Sequence, residues 1–335
     1  MAAPMATLVR DAAERIADFV TRTPLRRSAA FSERLGADIW FKLENRQQTG
    51  SFKLRGASNR LLTLSTGQRA RGCVAASSGN HGAAVACALE RLGMDGVIFV
   101  PEHTSRAKVA KIEHYGGTVR YFGSDGLDTE QHARAYAREL GMFYVSPYND
   151  EQVVAGQGTI GIEILDDLPD VDAVFVAVGG GGLVGGVGSI LKDHDECIRV
   201  FGCQPGASPV MARSIAAGRI IDMPSAATLS DGTAGGIEPD AVTFALNQCV
   251  VDEWVEAEEP QIAQAMRDFM RSEDDIIEGA AGVALAGLLQ RREAIAGKNV
   301  VVIICGGNIA DTLLAAVASG GNSVAGSGVP DMKRE

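Results

Sequence analysis

The stretch VDAVFVAVGGGGLVGG, residues 171–186, runs from Ala173 as an unbroken apolar segment into four successive glycines and on into a second apolar segment. Its first half has no polar alternation, as a strand buried on both faces requires, and such strands belong to parallel sheets. Gly179, Gly180, Gly181 and Gly182 carry no side chains, so backbone N–H groups can close on an anion there. The amino end of the helix expected next adds a favourable dipole, and a phosphate is the natural guest. A tight strand-to-helix turn is the plainer alternative, although four glycines exceed what a turn needs.

Outward from this loop the same alternation recurs. ADIWFKLEN, GCVAAS, GVIFVP, TVRYFG, MFYVSP, RVFGCQ and VVVIICGG read as further strands separated by helix-length segments. Such spacing calls for crossover connections and a parallel sheet, hence an α/β fold. Leu8, Val9, Ala12, Ala13, Ile16, Ala17 and Val20 recur at helical spacing over residues 6–20 and predict a lead-in helix that Pro24 stops. Residues 71–152 form a compact run of four strand units, expected as a smaller inserted domain between 1–70 and 153–320. The Gly/Ser-rich end, SGGNSVAGSGVPDMKRE, has no apolar period, and residues 321–335 are expected to be a flexible tail.

The chain has 335 residues, 46% of them hydrophobic, and a net charge of -11. It can bury a large core, and its acidity excludes the concentrated basic face that nucleic acid or an anionic membrane would need. With no signal-peptide pattern at its start, it is expected in the cytoplasm. The cysteines at 73, 87, 197, 203, 249 and 305 form no CxxC or Cys/His cluster, so reduced thiols are expected, five of them as small core residues. The histidines show no metal spacing, and no metal site is expected.

A formal GxGxxG is present at Gly180, Gly182 and Gly185. A dinucleotide site wants an acid at the end of the next strand, and here Gln204 stands there. A second loop, SSGNHG, sets Ser77, Ser78, Gly79, Asn80 and His81 after a strand and before a helix, offering donors suited to a carboxylate. Plain helix capping is the alternative for these residues. A third loop places Cys305 at the end of the last strand, where a core thiol is the alternative. Lys53, in TGSFKLRGA beside Phe52, then has a context. A desolvated lysine amine forms a Schiff base with an aldehyde, and pyridoxal phosphate brings an aldehyde, a phosphate and a pyridine nitrogen to match these parts.

Assembled in order, KLENRQQTGSFKLRGA, SSGNHG, GQGTIGIEI, GGGGL and CGGN resemble the serine/threonine dehydratase and serine racemase group of fold type II pyridoxal-phosphate enzymes, over about residues 5 to 320. The resemblance implies two parallel-sheet α/β domains with the cofactor between them, and a homodimer. It implies that Lys53 carries the cofactor and acts as catalytic base, that Phe52 packs near the ring, and that Asn80 bonds the phenolic oxygen. Gly179 to Gly182, with Leu183, would hold the phosphate, and Cys305 would face the pyridine nitrogen. Ser77, Ser78, Gly79, Asn80 and His81 would surround the substrate carboxylate.

The activity implied is removal of water and ammonia from a small β-hydroxy amino acid, such as L-threonine or L-serine, to give a 2-keto acid. Ser78 resembles the serine of serine racemases and hydroxyaspartate dehydratases, and a hydroxyl there could serve as a second acid/base; a cap hydroxyl is the alternative. PSAATLSDGTAGGIEP and IEGAAG faintly resemble dehydratases of hydroxyectoine utilisation, and Asp231 alone is too little for a metal site. Glu278 reads as an acid that caps a helix or supports the site from behind. The chain ends soon after CGGN, so no appended regulatory domain is expected. From a different class, a nucleotide-binding protein or a non-catalytic metabolite sensor could use the same sheet.

Overall fold

The structure, a computed structural model of the chain, describes residues 2–321, with strands gathered into two sheets. The tail assigned to 321–335 lies outside the described residues but for Gly321. In chain order the strands are β1 (Leu25–Arg27), β2 (Asp38–Leu43), β3 (Cys73–Ala76), β4 (Gly96–Val100), β5 (Thr118–Tyr121), β6 (Phe143–Tyr144), β7 (Ala173–Ala177), β8 (Arg199–Pro205), β9 (Glu253–Ala257) and β10 (Asn299–Ile304). The larger sheet has the order β1-β2-β10-β7-β8-β9 and the smaller β5-β4-β3-β6. All pairings are parallel except β1 with β2.

The strands at the middle of the larger sheet are the most apolar. Residues Val300 to Ile304 of β10 and Ala173 to Ala177 of β7 are all buried, because helices cover both faces. The two strands absent from the sequence reading, β1 and β9, are the edges of this sheet and carry the charged sequences LRR and EWVEA. The core around the smaller sheet includes Leu54, Ala57 and Leu61 of the helix Lys53–Leu62, which precedes residue 71. That helix therefore packs against the smaller sheet while its start is tied to the larger one.

Two expectations are corrected. The lead-in helix spans Ala2–Ile16 rather than 6–20, and Val20 packs against the core of the smaller sheet instead of extending the helix. Of the five cysteines read as core residues, Cys197 and Cys249 are exposed; Cys73, Cys87 and Cys203 are buried. Among the described residues no helix is long and apolar enough to cross a membrane, and no group of three or more His, Cys, Asp or Glu could hold a metal ion.

Candidate active site

Lys53 opens its helix directly after the loop that leaves β2. That loop is pinned to the end of β10. Ser51 forms an isolated antiparallel bridge with Gly306, and the Phe52 N–H donates to the Cys305 carbonyl at 3.1 Å. Gly50 makes the turn at φ 75°, a left-handed conformation that suits glycine. Since β10 pairs with β2 on one side and β7 on the other, the lysine, the Cys305 thiol and the four-glycine loop issue from the carboxyl ends of three neighbouring strands. Functional groups gather at such ends in open parallel sheets.

Lys53 Nζ donates to the Pro147 carbonyl at 2.9 Å and lies 5.2 Å from the centre of the Phe52 ring. Burial lowers its amine pKa to about 8, outweighing the opposing influence of Cys305 and Glu278. An amine so placed is readily neutral and nucleophilic. Cys305 is 2% exposed, and burial holds its thiol well above the ordinary range, so it is uncharged.

The glycine loop is as tightly built as the sequence suggests. Gly181 precedes the helix Gly182–His194 with φ 83°, and a Cβ on Gly180 would meet the Tyr148 ring at 2.3 Å. Thr243 Oγ1 donates to the Gly180 carbonyl at 2.6 Å, fixing the peptide orientation. Among the described residues, the N–H groups of Gly179 to Gly182 donate to no protein acceptor. Leu183 is buried in the larger core just behind them. Gln204, which decided against a dinucleotide, is structural: its Nε2 donates to the Val178 carbonyl and its Oε1 accepts from the Ala212 N–H.

Across from these strand ends lies the loop after β3. Gly79 is the N-cap of the helix Asn80–Leu92, without a side-chain cap, so capping is not the task of Ser78. The Ser78 hydroxyl is half-buried and makes no hydrogen bond among the described residues. Ser77 Oγ accepts from the Gly79 N–H at 3.2 Å. The His81 ring is held by the fold: its Nε2 donates to the Val145 carbonyl at 2.9 Å, and burial lowers its pKa to about 3. His81 thus anchors the helix start, and its backbone N–H is the donor it keeps for a ligand.

Asn80 donates through Nδ2 to Glu278 Oε1 and Oε2 at 2.9 and 3.0 Å. The Glu278 side chain does not cap its helix; it also receives the Asn308 N–H at 3.2 Å and lies 4.0 Å from Cys305 Sγ. Burial raises its pKa to about 7. Glu278 is therefore the support of the site, and the capping alternative is set aside. Asn308, Lys111, Tyr148 and Thr243 entered no sequence argument, because each reaches the site only through the tertiary fold.

The donor set suits pyridoxal phosphate. The lysine amine matches an aldehyde, the free N–H groups of the glycine loop match a phosphate, and a neutral thiol matches a pyridine nitrogen.

Comparison with known proteins agrees. The family model described as "Pyridoxal-phosphate dependent enzyme" matches residues 16–306. An L-threonine ammonia-lyase of Geobacter sulfurreducens is 38% identical over 96% of this chain and 79% of its own length. The processed form of threonine deaminase isoform 2 from Solanum lycopersicum superposes with a TM-score of 0.90 at 32% identity, covering 94% of this chain and 93% of that one. Maize serine racemase does so with a TM-score of 0.88 at 31% identity, covering 92% and 95%. The α/β architecture of fold type II enzymes, expected from the resemblance, is the one observed.

Proposed function

The chain belongs to the pyridoxal-phosphate-dependent enzymes, and from that premise we propose that it is an ammonia-lyase that dehydrates and deaminates a small β-hydroxy amino acid. The observation that carries this reading is a partly buried lysine amine with a depressed pKa beside a neutral thiol and a glycine loop whose N–H groups have no partner among the described residues. The relatives named as threonine ammonia-lyase and threonine deaminase support it.

In this reading Lys53 holds the cofactor, Gly179 to Gly182 and Leu183 seat its phosphate, Phe52 borders its ring, and Asn80 bonds its phenolic oxygen. Cys305 offers the ring nitrogen a hydrogen bond without a charge, as a carboxylate would not. The cofactor, when bound, supplies an aldehyde for the substrate amine and a ring that takes up electron density from the α-carbon. With the cofactor and substrate bound, Lys53 Nζ would be the base that takes the α-proton. The overall change balances as the α-proton and the β-hydroxyl leaving together as water, with water then converting the released enamine to a 2-keto acid and ammonia. The N–H groups of Ser78, Asn80 and His81, with Ser77 and Gly79, orient the substrate carboxylate at the amino end of a helix. Residues 71–152 supply this substrate side of the cleft, and 1–70 with 153–320 the cofactor side. The working form is a cytoplasmic homodimer acting on free amino acids, and the net charge of -11 disfavours a nucleic-acid or anionic membrane partner.

A second reading has its own observation. The Ser78 hydroxyl is free of partners among the described residues and so is available as an acid/base for racemisation. One experiment separates the two: the cofactor-loaded protein is given L- and D-serine, threonine, 3-hydroxyaspartate and hydroxyectoine-derived amino acids, with keto acid and residual enantiomer both measured. Keto acid from L-threonine or L-serine is expected. Inversion that Ser78→Ala abolishes would establish the second reading, and no keto acid from any substrate would overturn the first.

A further inference from the structure

A line of hydrogen bonds joins the elements beside the smaller sheet to those beyond the larger one. Lys111, on the helix Arg106–His114 beside the smaller sheet, donates through Nζ to Asn308 Oδ1. Asn308, just beyond β10, donates through Nδ2 to Asn80 Oδ1 at 2.5 Å and to the Thr49 carbonyl at 3.0 Å. Asn80 donates onward to both oxygens of Glu278, which also accepts the Asn308 backbone N–H.

The Lys111 end sets the direction of the whole line. An ammonium can only donate, so the Asn308 atom facing Lys111 is oxygen and its nitrogen faces Asn80. The Asn308 nitrogen needs an acceptor, so the Asn80 atom facing it is Oδ1, which leaves the Asn80 nitrogen facing Glu278. The Asn80 nitrogen lies at 2.9 and 3.0 Å from the two oxygens of one carboxylate, so a single hydrogen directed between them serves both and its second hydrogen is there to give.

We infer that Asn308, clasped by Lys111, is a positioning residue that locks the Asn80 amide so that its spare N–H, and not its oxygen, faces the phenolic oxygen of the cofactor. The inference rests on the proposed cofactor site and adds to it the group that sets the orientation of Asn80. An Asn80 amide free to turn would bring an acceptor against an electron-rich oxygen, losing a hydrogen bond and gaining a repulsion.

The test uses full-length protein loaded with pyridoxal phosphate, read by the pH titration of its visible absorption and by cofactor Kd. Asn308→Ala is expected to shift the titration and weaken binding about tenfold, the worth of one hydrogen bond to a charged group. Lys111→Met should move both in the same direction by less. In an Asn80→Ala background Asn308→Ala should add nothing further, because the residue acts through Asn80. Should Asn308→Ala fail to fold, Asn308→Asp keeps the shape and removes the donor, and it should shift the titration likewise. An unchanged titration and Kd, or effects that simply add in the double variant, would overturn the inference while leaving the cofactor site intact. A wild-type protein with no visible band would instead overturn the cofactor reading beneath it.

Discussion

Lys53 is unusual because its amine is buried beside the Phe52 ring and, among the described residues, has only the Pro147 carbonyl as its hydrogen-bond partner. Desolvation disfavours the ammonium, so the amine titrates near 8 rather than in the ordinary lysine range. Only the neutral amine attacks an aldehyde. The rate at which cofactor-free protein captures pyridoxal phosphate, followed by visible absorption, should therefore rise with pH through a midpoint near 8 and then level off. Glu278 pulls the amine pKa upward, so Glu278→Gln should move that midpoint down. A midpoint in the ordinary lysine range in both proteins would show that the amine is not desolvated. His81, whose pKa burial lowers to about 3, stays neutral and contributes no inflection near neutrality.

The helix that carries Lys53 is rooted in a buried quartet of charges. Arg55, two residues on, donates through Nε to Glu44 at 2.9 Å and through Nη1 to Glu163 at 2.6 Å, and Lys42 Nζ bonds Glu163 at 2.5 Å. Two cations face two carboxylates, so the cluster is neutral as a whole and ties the helix to β2 and to the helix Glu151–Asp167. Glu163→Ala would leave two buried cations to one carboxylate. The expected loss is roughly 3–5 kcal/mol, as for other buried pairs deprived of a partner, read as a drop in the denaturant midpoint. Glu163→Gln keeps an acceptor and should lose less; equal loss would mean that the charge is irrelevant. All four residues stand in motifs that are plain in the sequence, KLEN, LRGA and GIEI, but nothing in the spacing of charged residues says that they will be buried. The central strands β7 and β10 are legible because burial on both faces demands unbroken apolar runs. The edge strands β1 and β9 have one margin without a partner strand and carry charges, so their sequences look like loops. The amide contact of Asn308 with Asn80 joins residues 228 positions apart, beyond the reach of any local pattern.

At the scale of the whole molecule, the site draws its parts from both sheets. Lys53, Gly179 to Gly182 and Cys305 lie at strand ends of the larger sheet, and Asn80 lies beyond a strand of the smaller one. No such set exists in an unfolded chain, so a ligand that fits it binds the native state and stabilises it by mass action, about 2.7 kcal/mol at a hundredfold excess over Kd. The covalent and phosphate contributions can be separated because different residues provide them. Lys53→Ala removes the amine but leaves the glycine loop, whose N–H groups need only a phosphate. The variant should therefore still gain thermal stability with pyridoxal phosphate, by less than the wild type, and gain none with pyridoxal, which lacks the phosphate. Gly180→Ala, whose added methyl would meet the Tyr148 ring, should lose the response to pyridoxal phosphate even though Lys53 is present. If Lys53→Ala responded equally to both compounds, the glycine loop would not be a phosphate seat. If it responded to neither, the lysine rather than the loop would supply the binding energy that holds the two sheets about the cofactor.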